Sequence, residues 1–121
     1  MDYLTYILLG IIFILLFKRM MPVKGVKQIS TIELKAALKD KNKQYIDVRT
    51  PGEFKRDHIK GFKNLPLQQI MQKAEKELSK EKEVIVICQS GMRSKNAIKV
   101  LQKIGFTKLT NVKGGMNAWK S

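Results

Sequence analysis

Cysteine occurs once in the 121 residues, as Cys88, and histidine and tryptophan also occur once each. A single cysteine excludes any disulfide within the chain, so packing must hold the fold, and chemistry at the thiol has no internal resolving partner. Such a chain suits reducing surroundings. Acidic side chains are few: ten Asp and Glu stand against 24 Lys and Arg, a formal charge of +14. Most of that charge is lysine, spread along the sequence rather than alternating with aromatic residues. A nucleic-acid reader more often carries a basic stripe interleaved with arginine or stacking rings, so nucleic acid is not an expected partner. Dispersed lysine describes a solvated surface that favours contact with anionic lipid or small anions. No metal and no cofactor are expected.

The chain does contain one long hydrophobic run, YLTYILLGIIFILLF, from Tyr3 to Phe17, stopped by Lys18 and Arg19. Fifteen residues at ~1.5 Å rise extend about 22 Å, short of a ~30 Å hydrocarbon core unless flanking residues lengthen the span. A cleaved signal peptide would carry basic residues before the run and small ones after it, whereas Asp2 precedes this one and Lys-Arg-Met-Met-Pro follows. The expectation is an uncleaved transmembrane anchor over residues 1–21 and a basic linker over 22–27, with a folded domain over 28–121. Lys18, Arg19, Lys24 and Lys27 all follow the run, so the expected topology is a single pass through the cell membrane. The N-terminus would lie outside and the domain in the cytoplasm.

The apolar fraction of the whole chain, 44%, is enough to fill one core of ordinary size. Ser30 and Glu33 form a capping-box pattern before IELKAAL, where Ile32, Leu34, Ala37 and Leu38 give a helix one apolar side. QYIDV (Gln44 to Val48) has the pattern of a short buried strand ended by Thr-Pro-Gly. LQQIMQKAEKEL, from Leu67 to Leu78, shows helical spacing. VIVI (Val84 to Ile87) is apolar at every position, as expected of a strand covered on both faces. Ala97, Ile98, Leu101 and Ile104 form one stripe before Gly105, a helix stop. TKLTNV is a final strand, and Gly114-Gly115 leads into a terminal turn. Strands separated by helices predict an α/β fold with a mostly parallel central sheet and helices on both faces.

In such a sheet ligands bind at the carboxyl ends of the strands. CQSGMRS, Cys88 to Ser94, falls at that end of VIVI. Gly91 lets the loop curl, and the residues after Cys88 supply backbone N–H groups at the start of the next helix, a setting that stabilises anions. Arg93 adds a planar cation able to hold an anionic substrate. A small apolar cysteine finishing a buried strand is the plainer alternative, and the glycine and arginine spacing at a strand-to-helix turn weighs against it. Cysteine-dependent phosphatases separate cysteine and arginine by five residues. Here four intervene, Gln89, Ser90, Gly91 and Met92, and the tighter loop suits a single sulfur atom on the thiolate better than a phosphate.

These residues resemble the rhodanese family of sulfurtransferases, specifically its single-domain members. C-x-S-G-x-R-S at Cys88 to Ser94 is similar to the family's active-site loop. DVRTPGEFKRDHIKGFKNLPL (Asp47 to Leu67) resembles its D-V-R-x-x-x-E-F-x-x-G-H-I-x-G-A-x-N-I-P segment, and GGMNAW (Gly114 to Trp119) resembles its ending. Asp57 stands where glycine is usual, Phe62 where alanine is common, and Leu65 in place of isoleucine.

The resemblance implies that Cys88 is the nucleophile, taking a sulfane sulfur from a donor such as thiosulfate as a persulfide and passing it to cyanide or an external thiol. Gln89, Ser90, Gly91 and Met92 would hold the persulfide through their backbone, and Arg93 the anionic end of the donor. Asp47, Arg49, Glu53 and Ser94 would support the loop, with Arg49 paired to Glu53 across the Thr-Pro-Gly turn. His58 falls at a structural position of the family pattern, and Trp119 is read as packing. The expected partners are a small anionic sulfur donor, an external thiol acceptor and, through residues 3–17, a membrane. A non-catalytic rhodanese-like binding module at the membrane is the alternative function.

Overall fold

The computed structural model describes residues 2–20 and 23–120; Met21 and Pro22, where the anchor was expected to meet the linker, lie outside them. The apolar run forms helix α1 (Tyr3–Met20), 18 residues with Lys18 and Arg19 in its last turn. Its large apolar side chains from Tyr3 to Phe17 are exposed. The expected single-pass topology, outside N-terminus and cytoplasmic domain are overturned: among the described residues no helix is long and apolar enough to cross a membrane. Eighteen residues span ~27 Å, and the two cations in the last turn leave only the shorter apolar stretch before them. After α1 the chain lies on the domain, with Val23 and Val26 partly buried against its core and the Lys24 carbonyl accepting from Gln102 Nε2 at 3.1 Å.

The remaining elements alternate. They are β1 (Lys27–Ile29), α2 (Thr31–Ala37), β2 (Gln44–Asp47), α3 (Pro51–Arg56), β3 (Lys63–Asn64), α4 (Ile70–Glu77), β4 (Val84–Ile87), α5 (Met92–Lys103), β5 (Leu109–Val112) and α6 (Gly115–Ala118). The five strands form one sheet in the order β1-β5-β4-β2-β3, and every pairing is parallel. The register sets Asp47 opposite Ile87, which brings the ends of β2 and β4 level and places the segments that follow them side by side.

Strand β4 is central and apolar throughout because it is covered on both faces. Val84, Val86 and Cys88 join Ile70, Ala74, Ala97, Ile98 and Leu101 of α4 and α5 in one core cluster. Ile85 and Ile87 point the other way, to Leu34, Ile59 and Phe62, with Trp119 packed alongside as expected. Each such aliphatic side chain stabilises the fold by about 1.5–3 kcal/mol when fully buried. Alternation along β4 therefore puts the Cys88 side chain on the face against α5, continuous with the larger cluster.

Helix starts follow their capping chemistry. The expected box at α2 is present, with Ser30 Oγ accepting from Glu33 N at 3.1 Å and Glu33 Oε1 accepting from Ser30 N at 3.0 Å. Thr-Pro-Gly ends β2 as expected but also opens α3. Thr50 is its N-cap, Pro51 stands at its first position, and Glu53 closes a second capping box. Proline fits there because the missing N–H would have no intrahelical acceptor. The helical spacing from Leu67 resolves into a 3-10 turn (Leu67–Gln69) before α4 begins. Gly105 follows α5 with φ +102, the left-handed stop expected of it.

Candidate active site

Cys88 leaves β4 with its residue 1% exposed, and the loop turns back over its sulfur. Gly91 N donates to Cys88 Sγ at 2.9 Å. That close approach requires the turn at Gly91, whose φ of +112 other residues rarely adopt. Ser94, fully buried in the first turn of α5, places its Oγ 3.3 Å from Sγ and donates to the Gly91 carbonyl at 3.0 Å. The first N–H groups of α5 have no intrahelical acceptor and leave the positive end of the helix beside the sulfur. Ser90 and Met92 are exposed at the rim.

The other side of the loop is held from α6. Met116 N donates to the Cys88 carbonyl at 2.8 Å and Asn117 N to the Gln89 carbonyl at 2.9 Å, while Gln89 Nε2 donates to Asn117 Oδ1 at 2.6 Å. Gly115 makes this approach possible, since a Cβ there would overlap the Cys88 carbonyl oxygen and its φ is +56. Sequence reasoning assigned GGMNAW to the family ending without giving Gly115 or Asn117 this part.

Beneath the loop, the expected Arg49–Glu53 pair is replaced by two others. Arg49 is fully buried and clasps Asp47, with Nε 3.1 Å from both carboxylate oxygens and NH2 2.9 Å from Oδ2. Its NH1 reaches Gln89 Oε1 at 3.2 Å and its NH2 the Asp57 carbonyl at 2.6 Å. Burial disfavours the Arg49 cation, but hydrogen bonds and charge from Asp47, with help from Asp57 and Glu53, more than offset it and raise its pKa. Asn64 Nδ2, unassigned in the sequence, donates at 3.0 Å to the carbonyls of both Asp47 and Arg49. Buried charge this close to Asp47 leaves Glu53 to the other arginine.

Glu53 faces Arg93 in a bidentate pair, NH1 to Oε1 at 2.5 Å and NH2 to Oε2 at 2.9 Å. Thr50 N and Thr50 Oγ1 each also donate to Glu53 Oε1 at 3.0 Å. The hydrogen bond from Arg93, first, and those from Thr50 hold the Glu53 carboxyl down to about 2, and Glu53 in turn raises the Arg93 pKa. His58, just beyond α3, is exposed, with Nδ1 2.7 Å from the Phe54 carbonyl and its ring stacked on Phe54.

A buried cysteine at the end of the central parallel strand, in a loop braced from below by an arginine–aspartate pair and from the side by a small helix, defines an α/β protein with one enclosed sulfur at the carboxyl edge of its sheet. The chain belongs to the rhodanese-like family: the family model for the Rhodanese-like domain matches residues 30–121. It is 42% identical to the putative sulfurtransferase YtwF of Bacillus subtilis over 96 residues, 78% of this chain and 91% of that one. With the thiosulfate sulfurtransferase GlpE of Coxiella burnetii it shares 30% identity over 95 residues, 78% and 88% of the two chains. The crystal structure of a rhodanese-like domain protein from Staphylococcus aureus superposes with a TM-score of 0.72 at 33% identity, covering 79% of this chain and 93% of that one. Against two other B. subtilis relatives the chain spans only 60% and 43% of their length.

Proposed function

We propose that the protein is a sulfurtransferase that carries a sulfane sulfur as a persulfide on Cys88, between a donor such as thiosulfate and a thiophilic acceptor, cyanide or a thiol. The observation that carries this reading is the Gly91 N–H aimed at Cys88 Sγ from 2.9 Å inside a loop with four residues between cysteine and arginine. The names of the relatives YtwF and GlpE support the reaction class. In the first half-reaction the Cys88 thiolate attacks the outer sulfur of thiosulfate. The S–S bond of the donor breaks, sulfite leaves with its electron pair, and the new persulfide anion remains on the protein. The acceptor then attacks the outer sulfur and restores the thiolate.

Hydrogen-bond donors preorganised around the sulfur stabilise anionic states without rearranging during the reaction. Gly91 N supplies one to the cysteine sulfur, and in this reading the backbone N–H groups from Gln89 to Arg93 would hold the added sulfur. Ser94 has one hydroxyl proton, donated to Gly91 O at 3.0 Å, while its Oγ accepts from the Cys88 thiol at 3.3 Å. Rotation about its side chain would direct that proton to the sulfur when Cys88 ionises. Asp47, Arg49, Glu53 and Ser94 are the supporting residues of this reading, and residues 28–121 form its functional unit.

Incubation of the full chain with thiosulfate, followed by mass measurement, tests the reading. The expected result is gain of one sulfur atom at Cys88, release of thiocyanate on adding cyanide, and loss of both in Cys88→Ser. No sulfur gained from any donor would overturn it in favour of a binding module on the same fold.

A further inference from the structure

Beyond α1, three large apolar side chains are exposed among the described residues, Ile32, Met71 and Met92, and Ile32 is the most exposed of them at 80%. The sequence puts Ile32 on the apolar side of α2 with Leu34, yet in the structure Leu34 is buried and Ile32 stands outside. A single exposed aliphatic residue is ordinary on a protein surface. Ile32, however, lines a groove of about 290 Å³ between α2 and α6, together with Thr31, Lys35, Ala118, Trp119 and Lys120. Thr31 Oγ1 donates to the Ala118 carbonyl at 3.2 Å and ties the two walls together, and Lys35 Nζ stands 5.3 Å from the centroid of the Trp119 ring.

Size and charge decide the occupant. Pockets that enclose a whole small molecule hold ~300–1,000 Å³, and this groove falls below that range. It has room for one large side chain of a segment lying across it. Both charged residues of its lining are lysines, and neither is ion-paired among the described residues. The nearby Glu33 is engaged in the α2 capping box, its carboxyl pKa lowered first by hydrogen bonds with Ser30 and then by Lys113 and Lys27. An apolar slot set among cations complements an apolar residue flanked by acids.

We propose that the α2–α6 groove is a docking site for an acidic peptide segment of a partner protein, which seats one aliphatic side chain against Ile32 and Trp119 and sets flanking carboxylates on Lys35 and Lys120. A segment seated there rests against α6, the helix whose Met116 and Asn117 N–H groups hold the carbonyls of Cys88 and Gln89. The partner therefore sits on the brace of the loop rather than in the loop itself.

Trp119 is the one tryptophan of the chain, so its emission reports on this groove. The probe is the acetylated, amidated peptide Glu-Glu-Leu-Glu-Glu, titrated into the full chain. A saturable shift of Trp119 emission is expected, weakening as salt is raised. Lys35→Glu with Lys120→Glu should weaken binding about tenfold or more, and Ile32→Ser should weaken it with both lysines intact. All three side chains are exposed, so the fold does not rest on them. Lys41→Glu with Lys60→Glu makes the same change of net charge at a separate cavity and should leave binding near that of the parent. Equal weakening by the two lysine pairs, or equal binding of Glu-Glu-Ser-Glu-Glu, would reduce the effect to general attraction by a chain of charge +14 and overturns the proposal. Absence of a saturable shift overturns it too, and none of these outcomes bears on sulfur transfer at Cys88.

Discussion

Arg93 and Glu53, forty positions apart in sequence, meet through two hydrogen bonds of 2.5 and 2.9 Å and tie the start of α5 to the start of α3. The pair joins the two segments that leave the adjacent strands β2 and β4, so it closes the mouth of the loop at the carboxyl edge of the sheet.

Stability should depend on this pair with a definite pH signature. The Glu53 carboxyl lies at about 2 in the folded protein against its ordinary 4.5, so folding favours the ionised form. Its contribution is therefore fully present above about pH 4.5 and is lost as pH falls toward 2. For a partly solvent-screened pair the expected size is about 1 kcal/mol. Denaturant titrations at pH 6 and pH 3 should show that loss in the parent protein and a correspondingly weaker pH dependence in Glu53→Gln.

Removing Arg49 should be strongly destabilising although none of its hydrogen bonds reaches the sulfur. Arg49→Met strands the fully buried Asp47 carboxylate without its cation and removes a donor from Gln89. A loss of about 3–5 kcal/mol is expected. Asp47→Asn added to Arg49→Met should recover part of it, which thermal melting of the three variants would show.

Gly115→Ala should affect the loop through a backbone that has no room for a methyl group. The new Cβ would overlap the Cys88 carbonyl oxygen at a residue with positive φ. A destabilisation of about 2 kcal/mol or more is expected, together with slower sulfur uptake at Cys88. Gly52→Ala, where a Cβ meets nothing within 4 Å, serves as the matched control and should leave uptake near that of the parent.

Leu101→Ala tests the scaffold apart from the chemistry. Leu101 is fully buried in the cluster that also contains Cys88. Its truncation should cost about 2–5 kcal/mol through lost burial and the cavity left behind. Uptake per folded molecule, measured well below the melting temperature, should change little.

The loop was legible because its signals are local. An apolar strand, a cysteine, a glycine able to turn and an apolar helical stripe follow one another within about twenty residues, and the structure arranges them in that order. The partner of Arg49 was not legible from spacing, since Asp47 and Glu53 are both within reach in sequence. Burial decides it, because a fully enclosed guanidinium takes the fully enclosed carboxylate and leaves Glu53 to the half-exposed Arg93. Helix α3 carried the same Ser/Thr-x-x-Glu signature as α2 but was read only as a turn. Strands β1 and β3, with three and two residues, are too short for any periodicity to announce. Hydropathy found the helix at Tyr3–Met20, yet a run that makes a helix does not thereby make a span.

The strand order β1-β5-β4-β2-β3 gives the sheet a timetable. The first strand has only the fifth as its neighbour, and the carbonyls of Cys88 and Gln89 wait for N–H groups at Met116 and Asn117. A chain emerging from its N-terminus therefore exposes the cysteine well before the pieces that enclose it exist. In the finished sheet β5 lies between β1 and β4. The enclosure of Cys88 is complete only when that last strand and the short helix after it are in place, so the two ends of the chain must meet before the loop is closed.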